Sequence, residues 1–377
     1  MIIKNPTIII KKESGGGSGT SSALLELVSG TSEVNLTKED LGNATQINNY
    51  AFYGREKLKS IEYPDALTQI GDYAFANSGL TGTVVVPYLD KVYQSPYPKL
   101  GISAYEGCTN ITKLIINAPQ IHGNLSNMRY FYGCTGLTEV EFGETCETAS
   151  IGSYAFAKCT ALPTIILPST VTVLTNNCFQ GCSSLETINL PEGVYEIQGY
   201  AFDSCSKLSN ISLPNALTHI GEYAFQGSGL SSSIIIPSGI TKINNYTFNK
   251  CSSLPSITIP ASVSSIGEYA FQYCYALTSV TILEGLTGLA RGAFRYCTSL
   301  PNITIPSSVA SIDRTVFNNC TALTEMTILA TTPPTLTNKD AISDATTTIY
   351  IPAGTLSAYQ TATNWSNFAD KFVELSA

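Results

Sequence analysis

The apolar positions of this chain carry two periods at once. In the stretch Leu254–Ile259 they fall at Leu254, Ile257 and Ile259, the alternation of a strand with one buried face. Pro260 follows, then Val263 and Ile266, then Tyr269-Ala270-Phe271 and Cys274, after which the pattern begins again. The unit reads C-x-x-L-x-x-I-x-I-P-x-x-V-x-x-I-x-x-Y-A-F-x-x. Its aromatic residue recurs at Phe52, Phe75, Tyr105, Phe131, Phe156, Phe179, Phe202, Phe225, Phe248, Phe271, Phe294 and Phe317, and from Phe156 onward every interval is 23 residues. Eleven of the 14 phenylalanines hold this one position, so the chain is read as twelve repeats.

Each repeat predicts a strand, a stop, an inward return and a turn. Proline has no N–H for a ladder, and Pro64, Pro87, Pro168, Pro191, Pro214, Pro237, Pro260 and Pro306 mark the strand's end. The Val and Ile three and six residues later turn inward, and Tyr-Ala-Phe predicts a short helical turn. A repeat buries about six apolar side chains, worth roughly 10–15 kcal/mol, against ~1–2 kcal/mol per residue for ordering its backbone. No copy folds alone. Stacked copies share their flanks and join strands into a parallel sheet, the physical basis of a solenoid.

The L-x-x-I-x-I strand, the 23-residue period and the I-G-x-Y-A-F-x-x-C segment resemble leucine-rich repeats of the BspA-like bacterial family. The segment from Thr348 to Lys371, with its Tyr-Ile-Pro-Ala-Gly-Thr run, resembles that family's C-terminal cap. The resemblance implies an α/β repeat solenoid: a right-handed horseshoe with a parallel sheet of about twelve strands and short helical or irregular turns on the other face. It also implies surface recognition or adhesion rather than catalysis. Residues 1–11 are then a strand-like tether or oligomerisation element, 12–22 a Gly/Ser linker and 23–46 an N-terminal cap. The repeats span 47–336, with irregular insertions at 88–130, and 337–377 form a C-terminal cap in which Trp365, Phe368 and Phe372 cover the last repeat.

Composition narrows the partners. Charged residues make up 13% of the chain, about half the usual share, so Ser, Thr and Asn carry the polar surface. With a net charge of −8 and its 20 basic residues scattered singly, the chain has no stripe for nucleic acid. No apolar run is long enough to span a membrane. MIIKNPTIIIKK is too short and Pro-broken for the core of a secretory signal, so either the chain is not exported by that route or its leader is missing from this sequence.

Nine of the 11 cysteines occupy one repeat column, Ser78 and Ser228 replace them in two copies, Cys178 takes an Ala slot, and Cys146 stands outside the pattern. No short zinc-ligand spacing occurs, and neighbouring column members, though ~5 Å apart and within disulfide distance, point parallel and are poorly placed to bridge, so the column predicts buried free thiols. His122 and His219 have no triad partners in sight, and Glu139 with Glu141 is the one carboxylate pair weighed for hydrolysis. GGGSG at 15–19 lacks the Lys-Ser/Thr and helix of a phosphate loop. The reading is therefore no catalytic residue, no metal and no cofactor.

Binding candidates come from two places. The middle residue of I-x-I points outward, giving a row that includes Glu62, Val85, Glu141 and Ile166 and ends in a threonine ladder. The break in period between Phe75 and Phe131 brings Tyr88, Tyr93, Tyr97 and Tyr105, amphipathic rings suited to protein or glycan recognition. A second tyrosine column, Tyr50 through Tyr269, is too regular for a site and is read as packing. The expected function is a non-enzymatic surface recognition or adhesion protein, located extracellularly or at the cell surface and binding a protein or carbohydrate ligand. The alternative is a structural recognition component of a phage or prophage tail, assembled through residues 1–11.

Overall fold

The computed structural model describes residues 10–12, 30–89, 100–117, 128–144, 146–342 and 347–376. They divide into two compact units, Met1–Pro191 and Glu192–Ala377, each a stack of parallel-stranded coils. The expected parallel solenoid is thus the architecture found. Its turns are the irregular kind, and the two α-helices among the described residues, Lys38–Leu41 and Leu356–Thr361, lie outside the repeated coils.

In the first unit, Thr81–Val86, Asn110–Ile116 and Glu139–Phe142 form one parallel sheet, and Thr164–Ile166 pairs with Thr187–Asn189. In the second, Ile234–Ile235, Ser256–Ile259 and Ser279–Ile282 form one sheet, while Asn302–Ile305, Glu325–Ile328, Thr348–Ile351 and Phe372–Glu374 form another. Paired strands keep register at the repeat length, Ile257 opposite Val280 and Thr258 opposite Thr281. Identical slots therefore stack on identical slots.

Most of the described coils also contribute a second, two-residue strand where the sequence shows only V-x-x-I. Lys242–Ile243, Ser265–Ile266, Gly288–Leu289, Ser311–Ile312 and Thr335–Leu336 make such a ladder in the second unit. Strands this short leave no alternation to detect.

The Tyr-Ala-Phe segment is not a helical turn. Its amide groups alternate between two jobs. Tyr50, Phe52 and Gly54 donate to Asp72, Ala74 and Ala76 of the next coil at 2.8, 2.7 and 2.8 Å, while Ala51, Tyr53 and Arg55 close three-residue turns within their own coil. An N–H spent on the next coil cannot close a helix. The alternation requires a left-handed residue at the tyrosine (φ 54–59° at Tyr50, Tyr73, Tyr154, Tyr200, Tyr223, Tyr246 and Tyr269) and another four residues on, where Gly54, Gly107, Gly133, Gly181 and Gly227 sit.

The Phe column is the spine of each core. Ring centroids are 5.2–5.7 Å apart from Phe52 to Phe179 and 5.1–5.7 Å apart from Phe202 to Phe317, near-parallel and fully buried. The thiol column lies beside it. Cys134, Cys159 and Cys182 donate to the carbonyls of Tyr105, Phe131 and Phe156, and Cys251, Cys274, Cys297 and Cys320 donate to those of Phe225, Phe248, Phe271 and Phe294. All 11 cysteines are buried and none is in a disulfide. Burial pushes the Cys108 thiol up to about 11 and those of Cys182 and Cys251 up to about 12. These are proton donors held neutral, not nucleophiles. Ser228, with a shorter bond to its heteroatom, donates to the carbonyl of Phe225 in its own coil instead.

The ends of the described chain are covered. Ile10–Lys12 pairs antiparallel with Ala44–Ile47. A helix capped by Thr37 buries Leu41. Near the other end Trp365 is fully buried and donates to the Pro334 carbonyl at 2.7 Å, and the Tyr359 hydroxyl donates to Ala330 at 2.6 Å.

Candidate functional site

The main strands of the first unit fall into three sheets, broken between Leu58–Ile61 and Thr81–Val86 and again between Glu139–Phe142 and Thr164–Ile166, and prolines flank the strand at the second break. Thr138 N–H donates to Thr112 at 2.8 Å and Gly143 N–H to Ile116 at 2.9 Å, zipping Glu139–Phe142 to the strand before it. One coil later the equivalent residues are Pro163 and Pro168, which have no N–H to give. Glu139–Phe142 and Thr164–Ile166 accordingly fall in separate sheets. The same pair, Pro301 and Pro306, flanks Asn302–Ile305, which is likewise separate from Ser279–Ile282. Pro255 and Pro260 flank Ser256–Ile259, where two residue pairs of ladder survive. Of the three proline-flanked strands, two are thus in a different sheet from the strand before them.

At the first of these openings lies a groove of about 450 Å³ between residues 138–143 and 164–168. Its floor is made of side chains that belong to the core elsewhere. In register across the sheet, Val84 and Leu114 are buried but Val140 is half-exposed, and Val86 and Ile116 are buried but Phe142 is half-exposed. Cys146 also lines the groove. It sits three residues after Gly143, donating its N–H to that residue at 2.9 Å, just as Val171 does to Pro168 at 3.0 Å. Cys146 thus fills the repeat's valine slot, ahead of a two-residue insertion that lengthens this coil.

The rim is charged on one side and apolar on the other. Glu139 and Glu141 project from the strand and share one cation, Lys113, at 2.7 and 3.1 Å. Hydrogen bonds from its ammonium to Glu139, then Glu141, raise the Lys113 pKa. Glu144 is exposed just beyond. Opposite them Ile166 is 73% exposed.

The outward candidates thus meet in part. Val85, Ile115 and Glu141 lie in one register row, Glu141 and Ile166 border one groove, and Glu62 is exposed on an earlier coil. Tyr88 is 40% exposed after the strand Thr81–Val86. Tyr93 and Tyr97 lie outside the described residues, as does His122. Tyr105 leaves the candidate set. It occupies the Phe column, fully buried between Phe75 and Phe131, and its hydroxyl is hydrogen-bonded at 2.6 Å to that of Tyr63. The groove was missed because its signal, a Pro immediately before the strand as well as after it, is a second proline column at 163, 255 and 301 that strand alternation does not reveal.

Among the described residues, no group of His, Cys, Asp or Glu is arranged to hold a metal ion, and no helix is long and apolar enough to cross a membrane. No match was found among curated proteins. Of solved structures, a leucine-rich repeat protein from Bacteroides ovatus is 22% identical with a TM-score of 0.67, the alignment covering 92% of this chain and 84% of that one. A leucine-rich cell surface protein from Faecalibacterium prausnitzii is 26% identical (TM-score 0.41, 71% and 83% covered). The pneumococcal vaccine antigen PcpA is 16% identical (TM-score 0.46, 91% and 77% covered). The profile of the BspA type leucine-rich repeat region matches residues 31–124, 124–254 and 218–333. The chain belongs to the BspA type leucine-rich repeat family.

Proposed function

We propose that this chain is a non-enzymatic recognition protein of a bacterial surface, which binds its ligand on the strand face of the first unit around the groove between residues 138–143 and 164–168. The observation that carries this reading is the opened join. The fold buries its inward strand side chains nearly everywhere, yet here Val140 and Phe142 are reachable from outside, beside an Ile166 that is 73% exposed. Concave apolar surface with a few placed polar groups is what ligand sites are made of, and scaffold rigidity suits it to selective contact. Glu139 and Glu141 are engaged by one lysine on an open face, an arrangement for positioning charge at a rim.

The test is binding of the whole chain to arrays of extracellular-matrix proteins and glycans. Ile166→Ser and Glu141→Gln alter exposed side chains, so each should shift stability by no more than ~0.5 kcal/mol. At least one array signal should fall about tenfold in the double variant, with thermal unfolding unchanged. Signals indifferent to both substitutions would remove the groove from the reading.

A further inference from the structure

We infer that the groove takes an extended polypeptide in which basic and apolar side chains alternate. The inference rests on the recognition reading above and names its ligand class. Two features select it.

The first is charge. Between Phe131 and Pro168 the chain carries Glu139, Glu141, Glu144 and Glu147 and one cation, Lys158, whose ammonium lies 5.3 Å over the Tyr132 ring rather than at the groove. Lys113, from the neighbouring strand, serves both Glu139 and Glu141 and leaves that trio with a net negative charge. Glu139 and Glu141 sit two apart on one strand, so their carboxylates face the same way. Cations two residues apart on an extended chain meet that spacing.

The second is the floor. Val140, Phe142, Cys146 and the exposed Ile166 present apolar surface, with the hydroxyls of Thr138 and Thr164 as the uncharged polar side chains of the lining. A neutral glycan needs many hydrogen-bonding partners for its hydroxyls, or a flat exposed ring to stack on, and this lining offers neither. At about 450 Å³ the groove is many times the ~30 Å³ share of a water molecule and admits side chains. Basic groups on the Glu139–Glu141 side and apolar groups against Ile166 satisfy both walls at once.

Three fluorophore-labelled octapeptides test this by anisotropy with the full chain: alternating Lys/Val, alternating Ser/Val and alternating Glu/Val. The Lys/Val peptide should bind at least tenfold more tightly than either other. Its affinity should fall at least fivefold in Glu139→Gln/Glu141→Gln, fall again in Ile166→Ser, and weaken as salt rises. Equal binding of Lys/Val and Ser/Val, or Lys/Val binding indifferent to these substitutions, would overturn the inference. If the matrix and glycan arrays give groove-dependent signals while Lys/Val does not bind, the ligand class fails and the recognition reading stands. If the array signals ignore the groove, the recognition reading itself fails.

Discussion

At the residue scale, side chains that break the repeat explain each other. Tyr105 replaces Phe in the aromatic column, and its buried hydroxyl is matched by Tyr63, which stands where other strands end in an aliphatic residue. Burial is the main reason the pKa of Tyr63 is raised, and each phenol serves as the other's partner. Tyr105→Phe alone leaves the Tyr63 hydroxyl buried and unmatched, at a cost of about 1–3 kcal/mol. Tyr63→Phe/Tyr105→Phe should recover most of that loss, because no orphaned group remains. Urea unfolding of the two singles and the double reads the coupling directly, and simple additivity would deny it. The coupled pair also shows why a sequence reading misplaces Tyr105. Among the tyrosines of an insertion it looks like an exposed ring, whereas its place 26 residues before Phe131 already assigns it to the core.

At the scale of elements, ladders decide what is open. The main strand, its terminal proline and the Phe and Cys columns are legible because each recurs with one residue type at one interval. The second ladder is not legible, since two-residue strands have no pattern of their own. Nor is the left-handed tyrosine, because nothing in its chemistry announces φ near 57°. The candidate row contained Glu141 and Ile166 one at a time, but a groove is a relation between coils, and only the failure of a join makes one. Pro163→Thr returns an N–H at the position where Thr138 has one. Amide exchange across 163–167 should slow about tenfold, equivalent to ~1.4 kcal/mol of local opening free energy. Unchanged exchange would mean that something other than the missing N–H holds the join apart.

Taken as a whole molecule, the chain depends on groups that must stay neutral. The thiols of Cys108, Cys182 and Cys251 are raised by burial to about 11, 12 and 12, and Tyr105, Tyr130 and Tyr359 are shifted the same way by burial. A raised folded pKa means the native state holds its proton more tightly. The associated stability is complete below the ordinary thiol pKa of about 9 and is lost as pH rises toward the folded value. Urea midpoints should therefore be flat from about pH 6 to 8 and fall steeply between about 9 and 11. Equal midpoints at pH 7.5 and 10.5 would contradict the buried, protonated thiol column. On the acid side Glu284 behaves oppositely. Backbone and side-chain hydrogen bonds from Ser307 and Ser308 lower its pKa, so what it adds is present at neutral pH and fades as pH falls.

The one-way thiol bond, made by Cys251, Cys274, Cys297 and Cys320 each to the carbonyl of the coil before it, has a bearing on the protein's history. A join that is the same at every level sets no final size. From Phe248 to Phe317, a gene that gains or loses 69 base pairs in frame adds or removes one complete storey, with donor and acceptor already supplied. Length can then drift by whole storeys while the interior needs no redesign, and proline pairs can come and go as doors in an otherwise uniform wall.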